Sequence, residues 1–279
     1  MTSDRTLDAQ ELYLELLKGC LTRLLFPDEQ YRTVVLPTRG SRRVPVRLLK
    51  AWLDRHSLTL VHRSPLDLEA RREGRDWPRH AETMIGMKRL DNLQDCVRRV
   101  VTDEVPGDLI ETGVWRGGAS IFMRGALTAY GDRSRIVWLA DSFQGLPVPN
   151  ADKYPDDAGL DLWKHDMLAV TQEDVRMNFA RYGLLDERVR FIEGWFSETL
   201  HRAPLGDLAL IRLDGDLYES TIDALNALYP KLSVGGFVVV DDYGTFDACK
   251  RAVDDYRDKM GIVDPIVDID GWGAFWRRT

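Results

Sequence analysis

The sequence of 279 residues predicts an α/β protein built on a doubly wound sheet of seven strands. From residue 108 onward, short apolar runs alternate with segments of helical periodicity, which is the pattern of strands joined by crossover helices. The runs are continuously apolar, as in parallel strands that are covered on both faces. Two last runs flank Gly271 and Gly273, and this spacing predicts an antiparallel hairpin at the sheet edge.

Residues 1–80 are predicted to form a helical and lid segment, and residues 81–279 the main domain. Residues 8–25 carry leucines at helical spacing and predict an amphipathic helix that ends before Pro27. The stretch 26–78 mixes prolines, arginines and short apolar pieces, and its clearest pattern is a helix over 44–56. We expect this stretch to serve as a lid and to contribute to a homo-oligomer interface.

The main domain begins with a predicted helix over 81–101, which leads into the first strand of the sheet. Strands are predicted over 109–112, 136–141, 189–194, 208–214 and 237–242, and the intervening helices over 121–130, 172–182, 221–232 and 248–260. The hairpin strands are predicted over 265–269 and 274–277. Right-handed crossovers place all the parallel carboxyl ends at one edge of the sheet. An insertion over 147–167 follows the second strand and is expected to act as a further lid.

Composition excludes several classes of protein. The formal charge of −7 and the isoelectric point near 5.4 argue against a nucleic-acid partner. The three cysteines are far apart and have no metal-binding spacing, which is typical of reduced thiols in a cytosolic protein. The sequence has no apolar run of a length that spans a membrane and no signal-peptide pattern, so we expect a cytoplasmic protein without a membrane partner.

A glycine-rich loop follows the first strand of the sheet. The spacing is Glu-x-Gly-x-x-x-Gly, from Glu111 through Gly113 to Gly117, and Ser120 begins the next helix. Dinucleotide-binding proteins carry Gly-x-Gly-x-x-Gly and phosphate-binding loops carry Gly-Lys-Ser/Thr, so a pyrophosphate or triphosphate ligand is disfavoured. A carboxylate at the strand end instead suits a ligand with a cationic group.

The second strand ends at Asp141, which is followed by Ser142 and Phe143. A carboxylate at this position suits the two vicinal hydroxyls of a ribose. The alternative, that Asp141 caps a helix, is opposed by Gly145 and Pro147. Phe143, or Trp195 after the third strand, offers a face to a purine, although an aromatic residue at such a position is as often part of the core.

The fourth and fifth strands end in a group of acids, Asp214, Asp216, Asp241 and Asp242. Adjacent strands bring these carboxylates together, and each raises the pKa of its neighbours unless a cation is present. Oxygen ligands without Cys or His favour Mg²⁺ over Ca²⁺ or Mn²⁺. Three carboxylates on the ion leave the fourth free as a general base. The alternative is that these aspartates only cap the helices that begin near residues 220 and 246.

Several motifs together resemble the macrocin O-methyltransferase family: DLIETGVWRGGAS, WLADSFQGLP, EGWFSETL, IRLDGDLYES and GGFVVVDDYG. The resemblance covers about residues 75 to 279. It implies a class I methyltransferase fold that binds S-adenosylmethionine and Mg²⁺. It also implies methylation of a hydroxyl on a deoxysugar in antibiotic biosynthesis, with a glycosylated or nucleotide-linked sugar as acceptor.

The family's functional residues carry over to matching positions of this sequence. The resemblance makes Asp214, Asp241 and Asp242 the metal ligands and Asp216 the general base. It implies that the cofactor contacts Thr83, Met84, Glu111, Gly113, Val114, Trp115, Gly117, Ser120, Asp141, Ser142, Phe143, Glu193, Gly194, Trp195, Phe196 and Asp214. Two alternatives stay open. One is a Mg²⁺-dependent O-methyltransferase of catechols or other phenols, which often uses a lysine base. The other is a non-catalytic α/β binding protein.

Overall fold

The computed structural model describes residues 8–27, 30–34, 44–64 and 67–279. The helices are α1 (Ala9–Leu21), α2 (Val44–Arg55), α3 (Leu68–Glu73), α4 (Met87–Thr102), α5 (Gly118–Ala129), α6 (Gln172–Arg181), α7 (Phe196–Thr199), α8 (Tyr218–Leu228) and α9 (Asp247–Met260). The strands are β1 (Gln30–Thr33), β2 (Val61–Ser64), β3 (Asp108–Thr112), β4 (Val137–Asp141), β5 (Val189–Glu193), β6 (Leu208–Leu213), β7 (Leu232–Val240), β8 (Val267–Asp268) and β9 (Ala274–Arg277).

The predicted seven-stranded sheet is confirmed, with the order β5-β4-β3-β6-β7-β9-β8. Strands β3 to β7 run parallel to one another, whereas β9 pairs antiparallel with both β7 and β8. The chain moves outward from β3 to one side through β4 and β5, and then to the other side through β6 and β7. Ligands of such sheets bind at this reversal point, outside the carboxyl ends of the strands.

Two hydrophobic cores cover the two faces of the sheet. Helices α1, α4, α5 and α6 contribute to one core, and α8 and α9 contribute to the other. Neighbouring strand residues alternate between them, since Leu109 belongs to the first core and Ile110 to the second. Helix α1 inserts Leu14, Leu17 and Leu21 into the first core, so it packs with the domain that was predicted to begin at residue 81. The division of the chain at residue 80 stays a prediction.

The lead-in helix is shorter than predicted. Helix α4 begins at Met87, and residues 81–86 instead cross the glycine-rich loop. The amide of Gly118 donates to the carbonyl of Glu82 at 2.9 Å, and a Cβ at Gly118 would lie 2.4 Å from the same oxygen. Only glycine permits this close approach, which brings Thr83 and Met84 to the edge of the sheet where the strands end.

The N-terminal stretch is only partly described. Helix α2 matches the helix predicted over 44–56, and β1 and β2 form an antiparallel pair that the sequence pattern did not predict. The remainder of the lid predicted over 26–78 includes residues 28–29, 35–43 and 65–66, which lie outside the described residues. Along the described ranges, none of the helices combines the length and apolar character that a membrane span requires.

An ionic group at Asp186 joins helix α5 to the start of β5. Arg124 donates to Asp186 through Nε at 3.2 Å, and Arg188 donates through Nη2 at 2.9 Å. Hydrogen bonds from Arg124 are the main reason that the pKa of Asp186 falls from 3.8 to about 2. The ion pairs therefore stabilise the fold above pH 3.8, and this contribution disappears as the pH falls through about 2.

We predict that Asp186→Asn lowers the free energy of unfolding at neutral pH by about 1 kcal/mol, allowing for solvent screening at this partly exposed site. The difference from wild type should shrink as the pH falls from 3.8 toward 2. Urea unfolding across this pH range measures it. The neighbouring Glu187, whose side chain is 84% exposed, provides the control variant Glu187→Gln, which should match wild type. An equal effect of both substitutions would contradict the assignment.

Candidate active site

Two adjoining cavities lie at the carboxyl ends of the parallel strands, with volumes of about 300 and 220 Å³. Five residues line both cavities: Met84 from the crossing segment, Trp115 from the glycine-rich loop, Leu168 directly after the 147–167 insertion, and Asp214 and Asp216 after β6. The two cavities therefore meet at these side chains, where groups bound in one cavity would face groups bound in the other.

The first and larger cavity lies over the glycine-rich loop. Gly113 lines it with a left-handed backbone (φ +78°), and a Cβ at this position would lie 1.6 Å from the carbonyl oxygen of Asp214. No other residue fits there. Asp141 lines the same cavity and accepts hydrogen bonds from the amides of Val114 at 2.6 Å and Phe143 at 2.7 Å. Oδ1 also accepts from the hydroxyl of Ser142 at 3.5 Å, whereas Oδ2, which accepts from Val114, keeps a further lone pair for a ligand.

Aromatic side chains also border the first cavity. Trp195 and Phe196 line it at the start of α7, together with Gly194. A carboxylate and aromatic faces in one cavity suit a ligand that has hydroxyl groups and a planar ring. The volume is also within the range of cavities that hold small ligands, about 300–1,000 Å³.

The second cavity contains the predicted acid group. One carboxylate oxygen from each of Asp214, Asp241 and Asp242 lies within 4.8 Å of the others. Opposite ligands of Mg²⁺ lie about 4.2 Å apart, so small side-chain movements would bring all three onto one ion. Asp242 Oδ2 is buried and has no hydrogen-bond partner among the described residues. Burial, together with Asp216, Asp214 and Asp241, raises the pKa of Asp242 well above its ordinary value. The donor set and this free oxygen fit a hard divalent cation.

A buried arginine that the sequence reasoning missed balances part of the negative charge of the acid group. Arg212 of β6 donates to Glu111 at 2.6 Å, to Asp214 at 2.7 Å and to Asp241 at 2.6 Å. Burial opposes its charge, but Asp241, Asp214 and Glu111 together raise the pKa of Arg212 well above the ordinary value. The signal that could have identified Arg212 is its place in the apolar run LALIRL, because a charged side chain in a buried strand requires partners inside the protein.

A second arginine, Arg89 of α4, was also missed. Its Nη1 donates to Asp241 at 2.5 Å, its Nη2 donates to the carbonyl of Gly74 at 3.2 Å, and its Nε forms an ion pair with Asp270 at 3.1 Å. Both oxygens of Asp241 therefore already contact an arginine, and a cation would share this carboxylate. The partners of Arg89 come from remote parts of the chain, and no local pattern indicates them.

Asp216 lies in the turn between β6 and α8 and lines both cavities. Its φ of +56° is left-handed, which is uncommon and strained for a residue other than glycine. Burial, followed by the charges of Asp214 and Asp241, raises the pKa of Asp216 to about 8. A carboxylate with such a pKa, held at the junction of two cavities, is the arrangement expected of a group that accepts or donates protons.

Several residues predicted to contact the cofactor do not line the first cavity. Glu111 is buried, accepts hydrogen bonds from Arg212 and Ser120, and borders only the second cavity, as do Thr83 and Val114. Burial raises the pKa of Glu111 to about 7, although Arg212 and Ser120 oppose this shift. Ser120 itself lines neither cavity in the described structure. Glu111 thus forms an ion pair with the guanidinium of Arg212.

Three further predicted residues border neither cavity in the described structure. Gly117 precedes α5 with a left-handed φ of +86° and packs against Val175. Phe143 is buried in the first core, so the core alternative for this aromatic residue matches its position. Glu193 accepts a hydrogen bond from Gln172 at 3.4 Å. A role for these side chains at the cofactor stays a prediction.

Aromatic residues also border the second cavity, and the sequence reasoning did not identify them. Trp77, Phe246 and Trp272 line it together with Trp115. They come from the segment before α4, the start of α9 and the turn before β9, so only the folded chain brings them together. Their apolar faces stand beside the acid group, which suits an acceptor with both apolar and hydroxyl-bearing surfaces.

Comparisons with known proteins identify the family. Residues 10–278 match the family model described as macrocin O-methyltransferase (TylF). The chain is 53% identical over 275 residues to the 8-demethyl-8-(2,3-dimethoxy-alpha-L-rhamnosyl)-tetracenomycin-C 4'-O-methyltransferase of Streptomyces olivaceus, covering 98% of this chain and 95% of that protein. It is 46% identical over 272 residues to the mycinamicin III 3''-O-methyltransferase of Micromonospora griseorubida, covering 96% and 97%.

A solved structure gives the same result. The O-methyltransferase NovP superposes with a TM-score of 0.82 at 47% identity, covering 97% of this chain and 99% of that one. The resemblance inferred from the motifs is confirmed, and the non-catalytic alternative is wrong. The chain belongs to the macrocin O-methyltransferase (TylF) family and is an O-methyltransferase.

Proposed function

We propose that the protein transfers the methyl group of S-adenosylmethionine to a hydroxyl of a deoxysugar, with Mg²⁺, in the biosynthesis of an antibiotic or similar natural product. The acceptor is a glycosylated or nucleotide-linked sugar. The observation that carries this proposal is the junction of the two cavities, where Asp214 and Asp216 line both. A methyl donor in one cavity and an acceptor in the other would meet at these carboxylates.

The names of two relatives support a sugar acceptor. The Streptomyces olivaceus enzyme is named for a 4'-O-methylation of a rhamnosyl-tetracenomycin, and the Micromonospora griseorubida enzyme for a 3''-O-methylation of mycinamicin III. The second cavity supports the same class, because its aromatic walls offer apolar faces to a sugar ring or to the attached aglycone while its acids face hydroxyl groups.

The first cavity is the proposed site of S-adenosylmethionine, which supplies the methyl group. Asp141 would accept hydrogen bonds from the ribose hydroxyls, and Trp195 and Phe196 would border the adenine. Gly113, which lines this cavity, packs against the carbonyl of Asp214, since it has no side chain. Trp115 and Met84 would border the sulfonium at the junction.

Asp214, Asp241 and Asp242 would hold the metal, whose charge favours ionisation of a nearby hydroxyl. Asp216 would take the hydroxyl proton as attack proceeds, for which its own carboxylate must be ionised. A pKa of about 8 leaves it largely protonated at neutral pH when no cation is bound, and positive charge among the three aspartates lowers this pKa. Orientation of the acceptor by the cavity walls accounts for much of the remaining rate.

The phenol alternative is less favoured by the cavity walls. Enzymes of that kind often use a lysine base, and the described residues that line the two cavities include no lysine. Lys250 instead pairs with Asp254 one turn along α9.

A cytoplasmic location is also part of the proposal. Cys20, Cys96 and Cys249 are free thiols, which is usual in a reducing compartment.

We predict that Asp216→Asn reduces turnover by about 10² to 10⁴, because the amide cannot accept the proton. Binding of S-adenosylhomocysteine, measured by isothermal titration calorimetry, should remain. Turnover is followed by mass spectrometry with glycosylated macrolides, aminocoumarins and nucleotide-linked deoxysugars as acceptors. Asp247→Asn, an exposed aspartate at the start of α9, is the control and should behave as wild type. Undiminished turnover by Asp216→Asn would refute its role as the base.

We predict that EDTA abolishes turnover and that added Mg²⁺ restores it. Calorimetry gives a second measurement that does not depend on turnover: Asp242→Asn should weaken Mg²⁺ binding, because Asp242 Oδ2 is a buried oxygen of the acid group with no hydrogen-bond partner among the described residues. The exposed Asp258 of α9 provides the control variant Asp258→Asn. Full activity in the chelator would exclude a metal role.

We also propose a homo-oligomer in which α1 forms part of the contact. The outward face of α1 exposes Leu12 and Leu16 at 55% each, and Phe26 beyond it is 65% exposed. Leu16→Glu should therefore lower the mass measured by light scattering, while Gln10→Glu, which adds the same charge at another exposed position of α1, should not. A monomeric wild type would end this proposal.

A further inference from the structure

The 147–167 insertion is hydrogen-bonded to two segments that line the cavities, the glycine-rich loop and the start of α8. At one end, the indole Nε1 of Trp115 donates to the carbonyl of Met167 at 2.9 Å. Near its centre, the insertion places Asp157 beneath the surface, where this residue is fully buried (0% exposed). Its neighbour Asp156 has a side chain that is 40% exposed and lies 3.9 Å from Arg251. Two adjacent aspartates thus have very different surroundings, which indicates a specific task for Asp157.

The task of Asp157 is to cap helix α8. One carboxylate oxygen accepts from the amide of Tyr218 at 2.6 Å and the other accepts from the amide of Glu219 at 3.1 Å. The first amides of a helix have no partner within the helix, and the residue before α8 is Leu217, whose side chain has no acceptor. The insertion therefore supplies the cap that the local sequence of α8 lacks, and its negative charge is favoured at this end of the helix dipole.

The capped amides immediately follow the turn that carries Asp216. Leu217 separates Asp216 from Tyr218, and its amide donates to the carbonyl of Gly215 at 2.5 Å. Asp216 itself has the left-handed φ of +56°. Such a conformation persists only where the surrounding structure holds both ends of the turn. Strand β6 fixes the turn before Asp216. The hydrogen bonds that Asp157 accepts from Tyr218 and Glu219 fix the turn after it.

The middle of the insertion also borders the second cavity. Leu162 lines this cavity, and the ring of His165 meets Trp77 edge to face with centroids 5.0 Å apart. Trp77 lines the same cavity. The segment that covers the acceptor side is thus tied through Asp157 to the turn that holds the proposed base.

We propose that Asp157 is a positioning residue for Asp216: by capping α8 it holds the turn of the proposed base in place and ties the insertion over the acceptor cavity to that turn. This inference rests on the proposed function. It replaces the expectation of a freely moving lid over 147–167 with a segment anchored near its centre. Loss of the cap is expected to lower the rate of methyl transfer much more than the affinity for the cofactor, because Asp141, Trp195 and Phe196 border the first cavity from elements other than α8.

The test compares Asp157→Ala and Asp157→Asn with the matched controls Asp156→Ala and Asp156→Asn. Asp157→Ala should lower kcat by about 10- to 100-fold, the usual effect of a small misplacement of a reacting group. Asp157→Asn should retain more of the rate, because its carbonyl oxygen still accepts from one amide. Calorimetric binding of S-adenosylhomocysteine should match wild type in both Asp156 variants and should weaken much less than kcat falls in both Asp157 variants. Hydrogen exchange should become faster in peptides that contain residues 154–168 and 216–222 of Asp157→Ala alone.

Two kinetic results would overturn the inference. One is a kcat of Asp157→Ala equal to that of Asp156→Ala, and the other is an equal loss of cofactor binding and kcat, which indicates general damage to the fold. If Asp157→Ala does not fold, Asp157→Asn takes its place, and kcat equal to that of Asp156→Asn is then the negative result. Hydrogen exchange needs no acceptor. Unchanged exchange at 216–222 refutes the coupling, whereas failure of wild type to methylate any sugar refutes only the proposed function.

Discussion

The burial of carboxylates at the ends of β3, β6 and β7 is the constraint on which the site depends. Asp241 and Asp242 are less than 10% exposed, and Glu111 is 2% exposed. Ionised groups in such surroundings require opposite charge, and the chain supplies it from inside through Arg212 and Arg89. Removing one member of a buried ionic network costs about 3–5 kcal/mol, since it leaves its partners without compensation. The arginines offset part of the negative charge. Asp242 Oδ2, which has no hydrogen-bond partner among the described residues, is available to a cation, and the cation would share Asp241 with the two arginines.

The sheet and the ends of its strands were predictable because both depend on local sequence. Continuous apolar runs identify buried parallel strands, and in this chain each of these runs ends near a carboxylate. Parallel pairing then brings Asp214 and Asp241 together without further information. The lengths of the elements were less predictable: residues 81–86 have apolar residues at helical spacing, yet they leave the helix because Gly118 lies against the carbonyl of Glu82.

The contacts that position the acids could not be predicted, because they join residues that are remote along the chain. Arg89 and Asp241 are 152 residues apart, and Asp157 and Tyr218 are 61 apart. Neither pair has a local pattern, and an aspartate within an irregular insertion ordinarily indicates a solvated surface. Phe143 illustrates the opposite case, since a residue directly after a strand end was a reasonable ligand contact, but its ring packs against Phe191 with centroids 6.0 Å apart. The direction of the Phe143 side chain places the ring in the core, and sequence spacing alone does not determine this direction.

The packing of α1 has a consequence for exchanging parts between relatives. Because Leu14, Leu17 and Leu21 complete the first core, helix α1 cannot be separated from the sheet, although it precedes the stretch 26–78. A chimera that takes its acceptor-side segment from another family member should therefore keep the native helix α1 and place its first junction after Thr22. A junction at residue 80 would pair a foreign helix with the native core and leave mismatched leucines between them.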